Sequence, residues 1–234
     1  MRHPEVRKAD GAVARFCASV VREPLSFFNE GDLQGMIYRE FCAAFPGLVP
    51  TGEARDPGSK ARYRTPQVHR QYGHGERARM DLVVLHEADL EEADRNLKVK
   101  GEYIDPMFGV ELGTEKVSDI EGHIKGDIEK LTACWGRGYL IHFYRDVTKV
   151  DKGTKTWVKT QTKIQRLFKA PAQSIKLSEN VRALFFIIEL GGTRRRTRGK
   201  CKMYYPGASK WSPINTQKGV ESAVKEALRG PNPG

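Results

Sequence analysis

The chain has 234 residues, 39% hydrophobic and 29% charged, enough length and apolar content for one folded domain with a sizeable core. Its longest apolar run, residues 183–188 (ALFFII), is too short to cross a bilayer, and the opening MRHPEVRKADG lacks the apolar core of an export signal; both predict a cytoplasmic protein without a membrane partner. The net charge of +11 is segregated: residues 136–234 hold 21 Lys and Arg against 6 Asp and Glu, while the first 135 residues are net −4, as expected if a polyanion is gripped by one half and processed by the other.

Residues 9–22 have the spacing of a short helix, with Val13, Phe16, Val20 and Val21 on one side. A second helix is predicted from Asn29 as N-cap, with Glu30 and Asp32 in its first turn and Leu33, Met36, Ile37, Phe41, Ala44 and Phe45 at helical spacing; Pro46-Gly47 ends it. Residues 50–66 are polar and rich in Gly and Pro, which predicts a loop. Val68–Tyr72 and Arg77–Leu85 read as a strand hairpin joined by Gly73-His74-Gly75. Within the second strand Met80, Leu82 and Val84 are expected on one face and Asp81 on the other.

Residues 86–98 are acidic with apolar residues three and four apart, which predicts a surface helix. Residues 101–114 contain a strand in which Val110 and Leu112 share one face and Glu111 takes the opposite one. A carboxylate flanked by buried apolar residues is costly unless something cationic compensates it, and two such strands side by side would make a small acidic site for a hard divalent ion.

Ser118-Asp119-Ile120-Glu121 is a capping box that starts the clearest helix of the chain, with Val117, Ile120, Ile124, Ile128, Leu131 and Trp135 along its apolar face. At about 100° per residue, His123, Asp127 and Lys130 fall together on one flank of that face. Residues 138–147 and 181–190 read as apolar strands, the second buried on both faces, with a helix around Thr162–Phe168 between them. Residues 191–200 (GGTRRRTRGK) form a basic turn leading into a strand at Cys201–Tyr205, and a last helix is predicted over Val220–Leu228.

Asp81 in RMDLVV, Glu111 in FGVELGTEK and the helix ending in DIEKL carry a resemblance to the PD-(D/E)xK nucleases, the restriction-endonuclease-like superfamily. The match covers about residues 30–147, leaving residues 148–234 as a basic C-terminal extension of a single 1–234 domain. The resemblance implies an α/β fold with a mixed central sheet flanked by helices. It also implies a metal-dependent deoxyribonuclease that hydrolyses phosphodiester bonds and leaves a 5′-phosphate. Asp81, Glu111 and the backbone carbonyl of Leu112 would bind Mg²⁺ or Mn²⁺, and a lysine would hold the attacking water. In some members a glutamate at the start of the first core helix joins the metal site, which is Glu30 here; its other role is to complement the helix dipole.

The chain departs from the pattern in two places. Met80 stands where the motif has proline, and Gly113 stands where it has lysine. Lys116 is the nearest substitute and Lys130, on the helix flank, is the second. With no lysine supplied, the same fold would be a catalytically inactive nucleic-acid-binding module. Arg194, Arg195, Arg196, Arg198 and Lys200 are candidates for phosphate contact. The histidines show neither HxxxH nor HExxH spacing and read as ordinary surface or core residues, and four scattered cysteines read as reduced thiols. DNA is the expected partner; RNA, and pairing of two chains as a homodimer, remain open at this point.

Overall fold

The computed structural model describes residues 3–27, 29–53, 62–74, 78–90, 104–114, 120–146, 156–169, 173–189, 200–214 and 216–230. Helix α1 spans Pro4–Arg22, starting five residues before the predicted 9–22, because Pro4 lacks an N–H where the first turn has no internal acceptor for it and Glu5 complements the helix dipole. Helix α2 spans Glu30–Ala44. The Asn29 side chain accepts from the Asp32 N–H at 3.2 Å and the Asp32 carboxylate accepts from the Asn29 N–H at 3.1 Å, a reciprocal cap. Leu33, Ile37 and Phe41 are its buried stripe, and Gln34 is buried beside them.

Residues 50–66, expected to be a loop, instead contribute to an antiparallel ribbon of β1 (Leu48–Glu53) and β2 (Arg62–Pro66). Val49, Thr51, Tyr63 and Thr65 are residues that favour strands, and a two-stranded ribbon has free edges that tolerate Pro50 and Pro66. Turn-forming composition hid this pairing.

The central sheet has seven strands in the spatial order β3 to β9: β3 (Val68–His74), β4 (Ala78–Val84), β5 (Phe108–Thr114), β6 (Arg137–Asp146), β7 (Val181–Glu189), β8 (Lys200–Tyr204) and β9 (Ser212–Ile214). β3, β4 and β5 pair antiparallel, β5, β6 and β7 pair parallel, and β7, β8 and β9 pair antiparallel. The two parallel steps are bridged by α3 (Ile120–Leu131) and α4 (Thr156–Phe168), as a parallel connection requires. Helix α5 (Gln217–Arg229) follows β9 and packs on α1.

This is a mixed α/β architecture with helices on both faces. One core joins α1, α2 and α5 to Leu82, Val84, Phe108, Val110, Leu112, Tyr139, Ile141 and Phe143. The other joins α3 and α4 to Met80, Val83, Leu140, Ala183, Phe185 and Ile187. Strand β7 is buried on both faces, as its continuous apolar run implies. Strands β7, β8 and β9, which fall in the expected C-terminal extension, complete the same sheet as β3 to β6.

Trp135, expected on the apolar face of α3, lies beyond the end of that helix and is 54% exposed; Cys134 takes the inward place. Of the predicted helix 86–98, residues 87–90 are helical, His86 precedes them, and 91–98 lie outside the described residues. Arg137, just ahead of the predicted strand, is buried. Its Nη1 donates to both oxygens of Asp10, at 2.7 and 2.9 Å, and to the Leu228 carbonyl at 3.3 Å, while the Tyr139 hydroxyl donates to Asp10 at 2.9 Å. That network joins α1, β6 and α5 across one core and satisfies charges that burial would otherwise penalise.

Candidate functional site

β4 and β5 pair as Leu82 with Val110, Val83 with Gly109 and Val84 with Phe108. One further step in this register would set Asp81 opposite Glu111, and there the pairing stops. The Leu112 N–H donates instead to Asp81 Oδ2 at 2.8 Å. β3 is interrupted at the same level: Arg70 pairs with Leu82 and Tyr72 with Met80, but Gln71 and Asp81 do not pair. Gln71 has φ 51°, a left-handed conformation that costs about 1–3 kcal/mol for a non-glycine residue.

Side-chain contacts hold that strained residue. Its amide donates to Gln34 Oε1 at 3.2 Å and to Asp81 Oδ1 at 3.4 Å, and Gln34 Nε2 donates to the same Asp81 oxygen at 2.8 Å. Both oxygens of Asp81 are therefore fixed by N–H donors. The irregularity also corrects the expected alternation. Leu82 and Val84 enter the core under α1 and α2, but Met80 enters the opposite one, near Cys134. A regular strand cannot do that.

On β5 the expected faces hold: Val110 and Leu112 belong to one core and Glu111 projects to the α3 side. There Lys130 Nζ lies 2.8 Å from Glu111 Oε2 and 2.8 Å from Asp127 Oδ1. The other oxygen of Asp127 lies 3.3 Å from His123 Nε2 and 3.7 Å from His142 Nε2. His142 Nδ1 is 3.2 Å from the Tyr144 hydroxyl. Glu111 and Lys130, both candidate site residues, thus meet with Asp127 and with His123 and His142, two histidines expected to be ordinary surface or core residues.

Gly113, at the position where the expected motif has lysine, lies against a neighbouring ring. It pairs with His142 across β5 and β6, and a Cβ at residue 113 would lie 2.5 Å from Cε1 and 2.6 Å from both ring nitrogens of His142. The imidazole occupies the space where the motif lysine would leave the strand. Lys130 brings an ammonium to Glu111 from α3 instead. Lys116 lies outside the described residues, as do Arg194, Arg195, Arg196 and Arg198; Lys200 opens β8.

Electrostatics follow from burial. Glu111 is 3% exposed, and burial, followed by the charges of Asp81 and Asp127, pushes its carboxyl up to about 9 despite Lys130. Burial also raises Asp81 against the opposing pull of the Leu112 N–H and Lys130. Burial pushes Asp127 upward too, but His142 and Lys130 outweigh it and leave it below the ordinary carboxylate value. Burial works against the Lys130 ammonium, and Asp127 and Glu111 more than offset that. His142 is driven toward its neutral form by burial.

Glu30 belongs to this charge system. The cap of α2 is made by Asn29 and Asp32, and the half-buried Glu30 carboxyl is raised by burial and then by Asp81. Its expected role as a partner of the helix dipole is therefore joined by one beside the acids.

The cluster holds more carboxylate than Lys130 can neutralise. Among the described residues, Glu111 Oε1, Asp127 Oδ2 and His142 Nε2 are buried side-chain atoms without a hydrogen-bond partner. Orphaned acceptors in a negative, buried setting fit a cation. The donor chemistry is divided: Asp81 and Glu111 offer oxygen for a hard ion, whereas His123 and His142 add nitrogen around Asp127.

Folded Glu111 keeps its proton to about pH 9 and the ordinary carboxyl releases it near 4.5. Between those values the folded state binds the extra proton, so this group's contribution to metal-free stability falls as pH rises. A cation on Glu111 must displace that proton. Addition of Mg²⁺ or Mn²⁺ is thus expected to raise Tm more at about pH 8.5 than at about pH 6; at about 100-fold excess over Kd the rise is about 2.7 kcal/mol, roughly 5–10 °C. Equal rises at both pH values in thermal melts would remove Glu111 from the metal site.

The sequence carries partial signals for the residues that gather around Lys130. His123, Asp127 and Lys130 share a helix flank at one-turn spacing, and a glycine inside a buried strand marks a close neighbour, here His142. Gln34 and Gln71 carried none. Comparison with protein-family models, curated proteins and solved structures finds no match for this chain.

Proposed function

We propose that the chain is a metal-dependent deoxyribonuclease of the PD-(D/E)xK type, hydrolysing phosphodiester bonds beside Asp81, Glu111 and Lys130. The observation that carries this reading is the Lys130 ammonium 2.8 Å from Glu111, next to the point where β4 and β5 part at Asp81. A lysine from α3 supplies the cation that Gly113 cannot.

Asp81, Glu111 and the Leu112 carbonyl are the proposed ligands of Mg²⁺ or Mn²⁺. When bound, such an ion lowers the pKa of a water molecule and neutralises charge on the phosphate. Gln34, Gln71 and the Leu112 N–H hold Asp81 in one orientation, which removes the cost of ordering it during the reaction. Lys130 orients the attacking water by hydrogen bonding and opposes the negative charge that builds on the phosphoryl oxygens. Glu30, at the edge of the same cluster, is a further acceptor for the water. The basic second half of the chain, net +15 over residues 136–234, supplies phosphate contacts that hold the nucleic acid. Hydrolysis leaves a 5′-phosphate.

The test is nicking of circular DNA, alongside a single-stranded RNA of similar charge, with Mg²⁺ or Mn²⁺ and with a chelator. Wild type should cut DNA only with the ion present, and Glu111→Gln should bind without cutting. Binding without cleavage by wild type under every condition would leave an inactive nucleic-acid-binding module; faster cleavage of RNA would reassign the substrate.

A further inference from the structure

The geometry points to a second metal centre, formed by His123, Asp127 and His142, that takes a borderline transition ion of the Zn²⁺ class. His123 and Asp127 lie one turn apart on α3, and His142 reaches the same point from β6. One ligand atom from each of the three residues lies within 4.8 Å of the others. Two ligands each about 2.0–2.1 Å from a tetrahedral ion are separated by about 3.3–3.4 Å. His123 Nε2 and His142 Nε2 stand 3.3 and 3.7 Å from Asp127 Oδ2, close to that spacing.

The second, independent observation is the unused buried chemistry. His142 is 2% exposed and Asp127 3%, and neither His142 Nε2 nor Asp127 Oδ2 has a hydrogen-bond partner among the described residues. A buried ring nitrogen and carboxylate oxygen turned toward each other without a hydrogen bond are paired poorly by themselves and well by an ion between them. The outer contacts have the form that orients metal ligands: the Tyr144 hydroxyl lies 3.2 Å from His142 Nδ1, and Lys130 lies 2.8 Å from Asp127 Oδ1.

Two imidazoles and a carboxylate select Zn²⁺, Co²⁺ or Ni²⁺ over Mg²⁺, which prefers oxygen alone. The centre is therefore distinct in ligand chemistry from Asp81 and Glu111. Three protein ligands leave a fourth position for water. Through Asp127 the ion would also fix Lys130, making His123 and His142 positioning residues for the ammonium at Glu111.

The centre is tested by titrating chelator-treated protein with Co²⁺ and reading visible absorption and stoichiometry in wild type, His123→Ala and Asp81→Asn. His123 lies on a helix with its side chain 36% exposed, so alanine there preserves the fold, and a thermal melt verifies it. The expected result is a tetrahedral Co²⁺ spectrum in wild type, unchanged in Asp81→Asn and weakened more than about 100-fold in His123→Ala, since loss of an outer contact alone costs about 10–100-fold. Unchanged Co²⁺ affinity in His123→Ala, loss of the spectrum in Asp81→Asn, or no Co²⁺ binding by wild type would each overturn the assignment. None of these readouts uses cleavage, so failure of the nuclease reading leaves this result standing.

Discussion

Replacing Lys130 by methionine is expected to lower the rate of DNA cleavage by about 10²–10³-fold at saturating Mg²⁺, the loss typical of removing one donor aimed at developing charge. Methionine keeps the length and most of the apolar stem, so the change is chiefly one of charge and hydrogen bonding. The ammonium contacts both Glu111 and Asp127 at 2.8 Å, and among the described residues no second lysine pairs with either carboxylate. Without it, buried acids lose their compensating charge, which typically costs about 3–5 kcal/mol when the partner of a buried pair is removed. A bound divalent ion restores part of that charge. The measurement therefore pairs cleavage kinetics with melts taken with and without Mg²⁺. On the proposed reading DNA binding should change little, because phosphate contacts spread over the basic half would carry the affinity. A Lys130→Met protein that cuts normally, beside a Lys116→Met protein that does not, would move the catalytic lysine to residue 116.

The contrast between what was readable in the sequence and what was not has a physical basis. Glu111 was legible because β5 is a regular strand, in which alternation fixes direction. Asp81 was legible as a lone acid in an apolar strand. Alternation puts its neighbour Met80 on the face of Leu82, whereas the structure puts it on the other, because β3 and β4 break their pairing at Gln71 and Asp81 and periodicity has no means of registering such a break. The Asn29 cap and the α3 stripe were legible for a related reason, since both depend on residues within one turn. β1 and β2 were not, as their stability comes from each other and their composition favours turns. The histidines lay furthest from view: His123 and His142 are nineteen positions apart and meet only because α3 packs over β6. Spacing puts Asp127 on a helix flank, but His142, which completes its cluster, comes from a strand.

Gly113→Lys, which would supply a lysine two residues after Glu111, is expected to damage the protein rather than build a working site. The new Cβ would lie 2.5–2.6 Å from three atoms of the His142 ring. That ring has little room to turn, with Phe185 packed edge-on at 5.8 Å, His123 at 5.5 Å and Tyr144 at 6.1 Å. Overpacking of a buried site costs about 1–3 kcal/mol, or roughly 2–12 °C in Tm for a chain of this size. Gly113→Ala should fall in the same range, because the clash begins at Cβ and not at the ammonium. Truncating the ring as well, in Gly113→Lys with His142→Ala, removes the obstruction, and the pair should be more stable than the sum of the two single changes predicts. A double-mutant cycle by thermal or urea unfolding reads that coupling directly. In a Lys130→Met background the same pair places an ammonium on β5 and should recover part of the lost cleavage. A Gly113→Lys protein as stable as wild type would show that His142 does not exclude a side chain at residue 113. The lysine on α3 would then lose its structural cause.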